Sequence, residues 1–391
     1  MAKPIYLDNQ ATTPIDPKVM QAMLPFFQEK FGNAASLHHA YGLECKDAVE
    51  KARKILAESI NARQREIVFT SGATEAINLA IKGVAGKYNN SRHIITQATE
   101  HRAVLDTCKA IQRNGWDITI LPVNSSGMVT TQSVADAITD NTVLVAIMHA
   151  NNEIGTIQPI NQIGSICKKK NILFFVDACQ SFGKLEIDIN TMNIDLLAAT
   201  AHKLYGPKGI GFLYVSQKDP KVTLEMQIDG GGHERGFRSG TLSVPLIVGF
   251  AKALEISLRS RESESKYLRK LRDDLYYGIK SQHADVIVNG SLENGLSHNL
   301  NLCFPKLDAE TMIMKMKRIA CSAGSACSSM SLEPSHVIKA LGRDTELAHS
   351  AIRFSLGRFN TEKEIEAVIL EVNSTVNDLK LSRQNRKNIK K

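Results

Sequence analysis

An α/β fold, a mainly parallel seven-stranded sheet joined to a smaller α+β unit, is what this 391-residue sequence predicts, and three observations carry the prediction. Short β-rich runs alternate with helical stretches over the first two-thirds of the chain, the pattern left by strand–helix–strand crossovers. From about residue 260 the alternation gives way to a short helix-and-strand pattern of its own. Hydrophobic residues make up 43% of the chain and charged ones 23%, enough at this length to bury a sizeable core.

Strands are predicted over 66–70, 93–96, 117–121, 142–148, 172–177, 195–199 and 211–215. Apolar periodicity between them gives helices over 73–85, 104–113 and 160–169. A long, charge-laced helix is expected over 248–281. It would link a large domain, 15–260, to a small domain made of 1–14 and 261–379. The small domain is expected to contain strands over 299–304 and 352–356 and a helix over 309–316. Its closing helix opens with the capping box Thr361-Glu362-Lys363-Glu364, after which Ile365, Val368, Ile369, Val372 and Val376 fall on one face.

Composition excludes several classes. No window reaches the run of about 18 apolar residues that a membrane helix needs, and the first residues resemble neither a signal peptide nor an Arg-rich presequence. The chain reads as cytoplasmic, with no membrane partner. Seven cysteines, odd in number and scattered, indicate free thiols rather than a disulfide framework, and no pair has zinc-site spacing. The net charge is +8, but residues 380–391 hold six basic residues and no acid. Most of the excess is therefore a basic tail, expected to be a solvated, poorly ordered end. Direct nucleic-acid binding is not expected.

Three segments carry chemistry. Ser71-Gly72-Ala73-Thr74-Glu75 follows a strand and opens a helix. Small residues there let backbone N–H groups approach an anion, although a plain capped turn reads the same way. Asp177 ends an apolar strand, where open α/β sheets place ligands. It can hold a pyridine nitrogen protonated or merely cap the next helix. Lys203 follows a strand and precedes a Gly/Pro-rich loop, a place where a lysine can be desolvated for Schiff-base chemistry or simply lie on the surface. Thr200 and His202 alternate with Ala201, so both can face one phosphate. The order phosphate turn, Asp strand, Lys strand is that of fold-type I pyridoxal-phosphate enzymes.

The sequence resembles the cysteine desulfurases of the class-V aminotransferase family. The likeness runs from Tyr6-Leu7-Asp8-Asn9-Gln10-Ala11-Thr12-Thr13-Pro14 to about Val376. It is most specific in Gly230-Gly231-Gly232-His233-Glu234-Arg235-Gly236, in Arg238-Ser239-Gly240-Thr241, and in Gly324-Ser325-Ala326-Cys327-Ser328-Ser329 with Ser331-Leu332-Glu333-Pro334.

What the resemblance implies is a homodimer that uses pyridoxal 5'-phosphate to move sulfur from L-cysteine onto Cys327 as a persulfide. Lys203 would bind the cofactor as a Schiff base and move the Cα proton. His101 would stack on the ring, and Asp177 would pair with its nitrogen. Gln180 and Asn152 would bond the ring hydroxyl or the substrate carboxylate side. Ala73, Thr74, Thr200, Ala201 and His202 would hold the phosphate, and Thr241 would reach the phosphate of the other subunit. Arg353 would clamp the substrate carboxylate. The Gly/Ser-rich loop of about 322–334 would let Cys327 travel to sulfur acceptors in iron–sulfur cluster assembly and tRNA thiolation. While docked on an iron–sulfur scaffold protein, Cys327 would also be a transient [2Fe-2S] ligand. Cys321 and Cys179 read as packing residues. The tail lacks the Trp and His that relatives often use for scaffold docking, and Thr200-Ala201 stands where many have Ser-Gly. Two rivals remain at this point. One is another cofactor-dependent lyase, aminotransferase or selenocysteine lyase, against which the cysteine loop argues. The other is a non-enzymatic basic protein acting through its tail.

Overall fold

The structure, a computed structural model, describes residues 3–88, 90–218, 221–324 and 333–389. In chain order the strands are β1 Ile5–Tyr6, β2 Ile67–Thr70, β3 His93–Gln97, β4 Asp117–Leu121, β5 Thr142–Ala146, β6 Leu173–Asp177, β7 Leu196–Thr200, β8 Gly211–Val215, β9 Ile287–Val288, β10 Asn299–Cys303, β11 Ile319–Ala320 and β12 Ala351–Ser355. Strands β2 to β8 form one seven-stranded sheet in the order β2-β8-β7-β6-β5-β3-β4. It is parallel from β7 to β4, and β8 runs antiparallel to both β2 and β7.

The central strands read as unbroken apolar runs because both faces are covered. Successive residues point to opposite faces. Val145, Phe174, Val176, Leu197 and Phe212 join one buried cluster with the helices Ala40–Glu58 and Ile160–Lys169. Leu144, Ala146, Phe175, Leu196 and Leu213 join the other with the helices Ala73–Lys87 and Arg102–Gln112. Register then sets the working end of the sheet. Thr70 pairs with Gly211, and Gly211 pairs with Thr200, so the ends of β2 and β7 meet at one point. A side chain at Gly211 is excluded, since its Cβ would lie 2.6 Å from the Ala199 carbonyl oxygen and 2.8 Å from the Gly72 carbonyl carbon.

The expected long helix spans Val244–Lys280. Its Ile247, Phe250 and Leu254 pack in the sheet core, while Leu268, Leu271, Leu275 and Ile279 pack with Leu300, Leu302, Ile352 and Phe354 of the antiparallel sheet β12-β10-β9. Strand β1 pairs in parallel with β11, bringing the start of the chain to this second core. The capping box forms as its sequence dictates. Thr361 N–H donates to Glu364 Oε2 at 2.9 Å, and Glu364 N–H donates to Thr361 Oγ1 at 3.3 Å.

Two expectations need correction. The predicted strand 142–148 ends at Ala146, and the chain then turns toward Asn151 while Ile147 and His149 still donate N–H groups to Phe175 and Asp177 carbonyls. The basic tail is not an irregular end. The helix Glu362–Ile389 runs through it, which is reasonable because residues 380–389 contain neither Gly nor Pro to stop a helix. Among the described residues no helix is long and apolar enough to cross a membrane.

Candidate active site

A cavity of roughly 470 Å³ opens at the carboxyl ends of β6 and β7, where an open α/β sheet places its ligand. Ten of the residues singled out in the sequence line it: Ala73, Thr74, His101, Asn152, Asp177, Gln180, Thr200, His202, Lys203 and Arg353.

At one end lies the N-terminus of the helix Ala73–Lys87. Its N-cap is Gly72, with φ 153°, a conformation open to glycine, and among the described residues no side chain caps the first turn. A Cβ at Gly72 would meet nothing within 4 Å, so the turn leaves an open cradle in front of N–H groups that have no helical partner. Glu75 cannot fill it. Its carboxylate accepts from the Ser71 N–H at 2.7 Å and from Arg238 Nε at 2.8 Å. Although burial raises its pKa, these partners hold it below the ordinary range. His202 borders the cavity with Nδ1 3.1 Å from Thr12 Oγ1. Burial, then the charges of Lys203, Lys208 and Lys184, push His202 down to about 4, so it is neutral near pH 7. The Thr200 hydroxyl donates to the Ile210 carbonyl at 3.1 Å. Ala201 does not line the cavity. Its side chain is in the core, and its N–H donates to the same carbonyl at 3.2 Å.

Asp177 closes β6, 5% exposed, and its Oδ1 accepts from the Cys179 N–H at 3.0 Å. Asp177 is among the cavity's lining residues, so a buried carboxylate is available there to a cationic group. His101 is the N-cap of the helix Arg102–Gln112, and its Nδ1 accepts from the Ala103 N–H at 3.1 Å. With Nδ1 accepting there, Nε2 is the ring nitrogen available to donate.

The opposite wall is a strap from the chain's first residues, which sequence reasoning did not place in the site. Lys203 Nζ donates to the Gln10 and Ala11 carbonyls, both at 2.5 Å, and Gln180 Nε2 donates to the Gln10 carbonyl at 3.0 Å. The segment has no periodicity, and although Tyr6–Pro14 opens the stretch that resembles the family, nothing in its pattern assigned Gln10 or Ala11 a role. Arg353, on β12 and 1% exposed, donates to the Asn152 carbonyl at 2.7 Å and to Asp8 Oδ1 at 2.6 Å.

Among the described residues, four buried polar atoms of the lining have no hydrogen-bond partner: Gln10 Nε2, Asn152 Oδ1, Gln180 Oε1 and Arg353 Nε. Buried groups of this kind want a partner, and here all four belong to one cavity wall. A phosphorylated pyridine aldehyde fits this donor set. Its phosphate suits the cradle at Gly72, its ring nitrogen suits Asp177, its carbonyl carbon suits the Lys203 amine, and the remaining groups suit Gln180 and Asn152.

Thr241 is exposed and outside this cavity, in the loop before the long helix. Cys327 lies outside the described residues. The chain on either side of it is tied to the cavity walls. Ser322 N–H donates to the Arg353 carbonyl at 3.3 Å, and the Arg353 N–H donates back to the Ser322 carbonyl at 2.8 Å. On the far side His336 Nε2 sits 3.0 Å from the carbonyl oxygen of Glu100, the neighbour of His101. Every described cysteine has its thiol pKa raised, chiefly by burial: Cys108, Cys167 and Cys321 to about 12, Cys179 well above its usual value, and Cys45 and Cys303 in the same direction. No metal-binding cluster of His, Cys, Asp or Glu occurs among the described residues.

The class-V aminotransferase family matches residues 5–368. A cysteine desulfurase IscS of Serratia proteamaculans is 50% identical over 97% of this chain and 94% of its own, and that of Rickettsia bellii is 49% identical over 96% and 92%. Among solved structures, a NifS-like protein superposes with a TM-score of 0.89 at 37% identity, covering 96% of this chain and 99% of its own. SspA in complex with cysteine superposes at 0.81 and 38% identity, covering 91% and 99%.

Proposed function

Since this chain belongs to the class-V aminotransferase family and, within it, to the cysteine desulfurases, we propose that it takes sulfur from L-cysteine, releases L-alanine and carries the sulfur as a persulfide on Cys327. The observation that carries the reading is the convergence of Lys203, Asp177, Arg353 and the uncapped helix start at Gly72 on one cavity.

Bound pyridoxal phosphate supplies an electron sink for the pair released when the Cα–H bond of the substrate breaks. The chain's residues supply the rest. The helix start at Ala73 and Thr74, with Thr200 and His202, would hold the phosphate, the Thr200 hydroxyl turning from the Ile210 carbonyl toward it. Asp177 would keep a proton on the ring nitrogen, and the strap carbonyls of Gln10 and Ala11 aim the Lys203 amine. Lys203 would take the Cα proton, and His101 would pack on the ring and donate there through Nε2. Arg353, whose charge is already held by Asp8 and Asn152, would offer its remaining N–H groups to the substrate carboxylate. The Cys327 thiolate then attacks the substrate sulfur. The S–S bond forms as the C–S bond breaks, and the carbon fragment takes up protons to leave as alanine. The raised thiols of the six described cysteines favour Cys327 as the one that supplies a thiolate.

The same reading makes the protein a cytoplasmic homodimer, in which Thr241 would bond the phosphate held by the partner copy. The exposed apolar side chains Leu24, Phe27, Phe31 and Tyr41 support a buried contact between copies. It also makes acceptors of iron–sulfur assembly the recipients of the sulfur, with Cys327 a transient [2Fe-2S] ligand beside a scaffold protein. The separate core under β12-β10-β9 supports a division near residue 260 into a cofactor-holding domain and a smaller one.

The test is stoichiometric. Purified protein should absorb as a pyridoxal-phosphate enzyme and form one alanine per persulfide from L-cysteine in the absence of reductant, with the sulfur mapped to Cys327. Cys327→Ser should keep the absorbance and lose alanine release, and Lys203→Ala should lose turnover altogether. Normal alanine release from either variant rejects the assignment.

A further inference from the structure

Behind Lys203 lies a second, small cavity, lined by polar and apolar side chains, that the reaction as described does not use. Lys203 is part of the wall of both this cavity and the active-site cavity. The rear space is about 30 Å³, room for one or two waters among polar partners. Lys184 and His298 line it from the far side, and both also line a third cavity of about 400 Å³ bordered by Gln158, Glu293 and Arg269. Lys203 is thus shared by the first two spaces, and Lys184 and His298 by the last two.

Lys184 Nζ sits 3.5 Å from Nε2 of His298, which is 5% exposed. We propose that Lys184 is the proton exchanger that resets Lys203 between half-reactions, and that His298 is the residue that positions its amine. The inference rests on the desulfurase reading above. After taking the Cα proton, the Lys203 ammonium passes a proton to water in the rear cavity. That water passes one to the neutral Lys184 amine, and the Lys184 ammonium releases it to solvent through the outer cavity. Each transfer moves one proton and creates no new charge, so no co-reactant is needed.

The surroundings suit an amine that exchanges protons near neutrality. Burial, then the charges of Lys203 and Arg358, press the Lys184 pKa down to about 7 against the opposing pull of Glu264. Arg261 and Tyr205 also border the rear cavity, and Arg269 and Glu293 border the outer one. Burial, Lys184 and Arg272 hold His298 well below its usual value, so it stays neutral and accepts from the amine rather than competing for its proton. A proton-transfer group works best with its pKa near the working pH.

The experiment uses the holoenzyme and measures exchange of the Cα proton of L-alanine into deuterated water, which depends on Lys203 but not on Cys327. Lys184→Met should keep the cofactor absorbance and the alanine dissociation constant, slow exchange at least about tenfold, and lose the limb of the rate profile near pH 7. Lys184→Arg, which keeps the charge but does not give up its proton, should be equally slow. Lys184→Ala should regain rate with added methylamine, entering through the outer cavity, in proportion to the free-base concentration. His298→Gln should show a smaller loss with the pH profile displaced. A Lys184→Met protein that exchanges at the parental rate with an unchanged profile overturns the proposal. So does a deficit that Lys184→Arg repairs or that methylamine leaves untouched, since either marks a structural role. Exchange without any alanine from cysteine would reject the desulfurase reading while leaving the relay standing.

Discussion

Replacing Arg353 with lysine separates charge from geometry at the point where the substrate carboxylate is expected to bind. The parental guanidinium is 1% exposed and spends one N–H on the Asn152 carbonyl and one on Asp8, while Nε has no partner among the described residues. Lysine keeps the positive charge beside Asp8, so no uncompensated carboxylate is created and the fold should survive. What it loses is the planar fork, which can hold its two protein partners and still present donors to a carboxylate. Losing one charge-assisted hydrogen bond costs about 1.5–3 kcal/mol, equivalent to a ten- to hundredfold change in an equilibrium constant or somewhat more. Initial rates of alanine formation should therefore show kcat/KM for L-cysteine falling by roughly that factor, with most of the change in KM. Cysteamine, which lacks the carboxylate, gives the control. Its inhibition constant should be nearly the same for both proteins, because it makes no use of the fork. A variant that loses affinity for cysteamine as much as for cysteine would show that Arg353 shapes the cavity instead, and an unchanged KM would remove it from the substrate site.

Gly72→Ala puts a side chain on a residue with φ 153°, a conformation that costs a non-glycine residue about 1–3 kcal/mol; fluorescence titration should show pyridoxal phosphate binding weakened about tenfold or more, and unchanged affinity would remove the turn from the phosphate site. Glu100 is 1% exposed, and burial raises its carboxyl to about 8 from its ordinary 4.5, so the folded state holds its proton where the unfolded chain has lost it. The sign follows: its contribution is present below about pH 4.5 and is lost as the pH rises toward 8. Glu100→Gln should flatten that loss, and urea unfolding at pH 5.5 and 8 should show the variant gaining relative to the parent as pH rises; parallel curves would refute it. Deleting residues 380–391 removes two exposed ion pairs, Lys380 with Asp285 at 3.0 Å and Arg383 with Glu346 at 3.8 Å, each worth under about 1 kcal/mol. Alanine release should be nearly unchanged, while sulfur transfer to an acidic acceptor should slow and lose its salt dependence; a halt in alanine release would place the tail in the fold.

The sheet was legible because its strands are buried on both faces. Apolar runs of the kind seen in 142–146, 173–177 and 196–200 have few other interpretations once helical stretches separate them. The helix Ala40–Glu58 was equally legible and was not drawn from the sequence: Cys45, Val49, Ala52 and Leu56 are spaced three and four apart and are all buried. The site divides along a physical line. Asp177, Thr200 and Lys203 follow strands of one sheet, and local pattern is enough to bring them to the same edge. Arg353 and the strap at Gln10 and Ala11 are different. Arg353 meets Asp8 across 345 positions, and Lys203 meets Gln10 across 193. Contacts of that separation arise from how the second core seats against the first sheet, through β1 on β11 and the shared helix Val244–Lys280. No periodicity encodes such docking, so Arg353 was reached through resemblance and the strap not at all. The rear passage shows the limit of motif reading more sharply. Lys184 lies seven residues after Asp177 in a turn of ordinary composition, and His298 precedes a strand of the other core. Only when both cores pack against the back of Lys203 do two unremarkable residues become neighbours with one amine held near neutrality. A search for functional residues in this fold is therefore better aimed at buried contacts between the two cores than at further motifs along the chain.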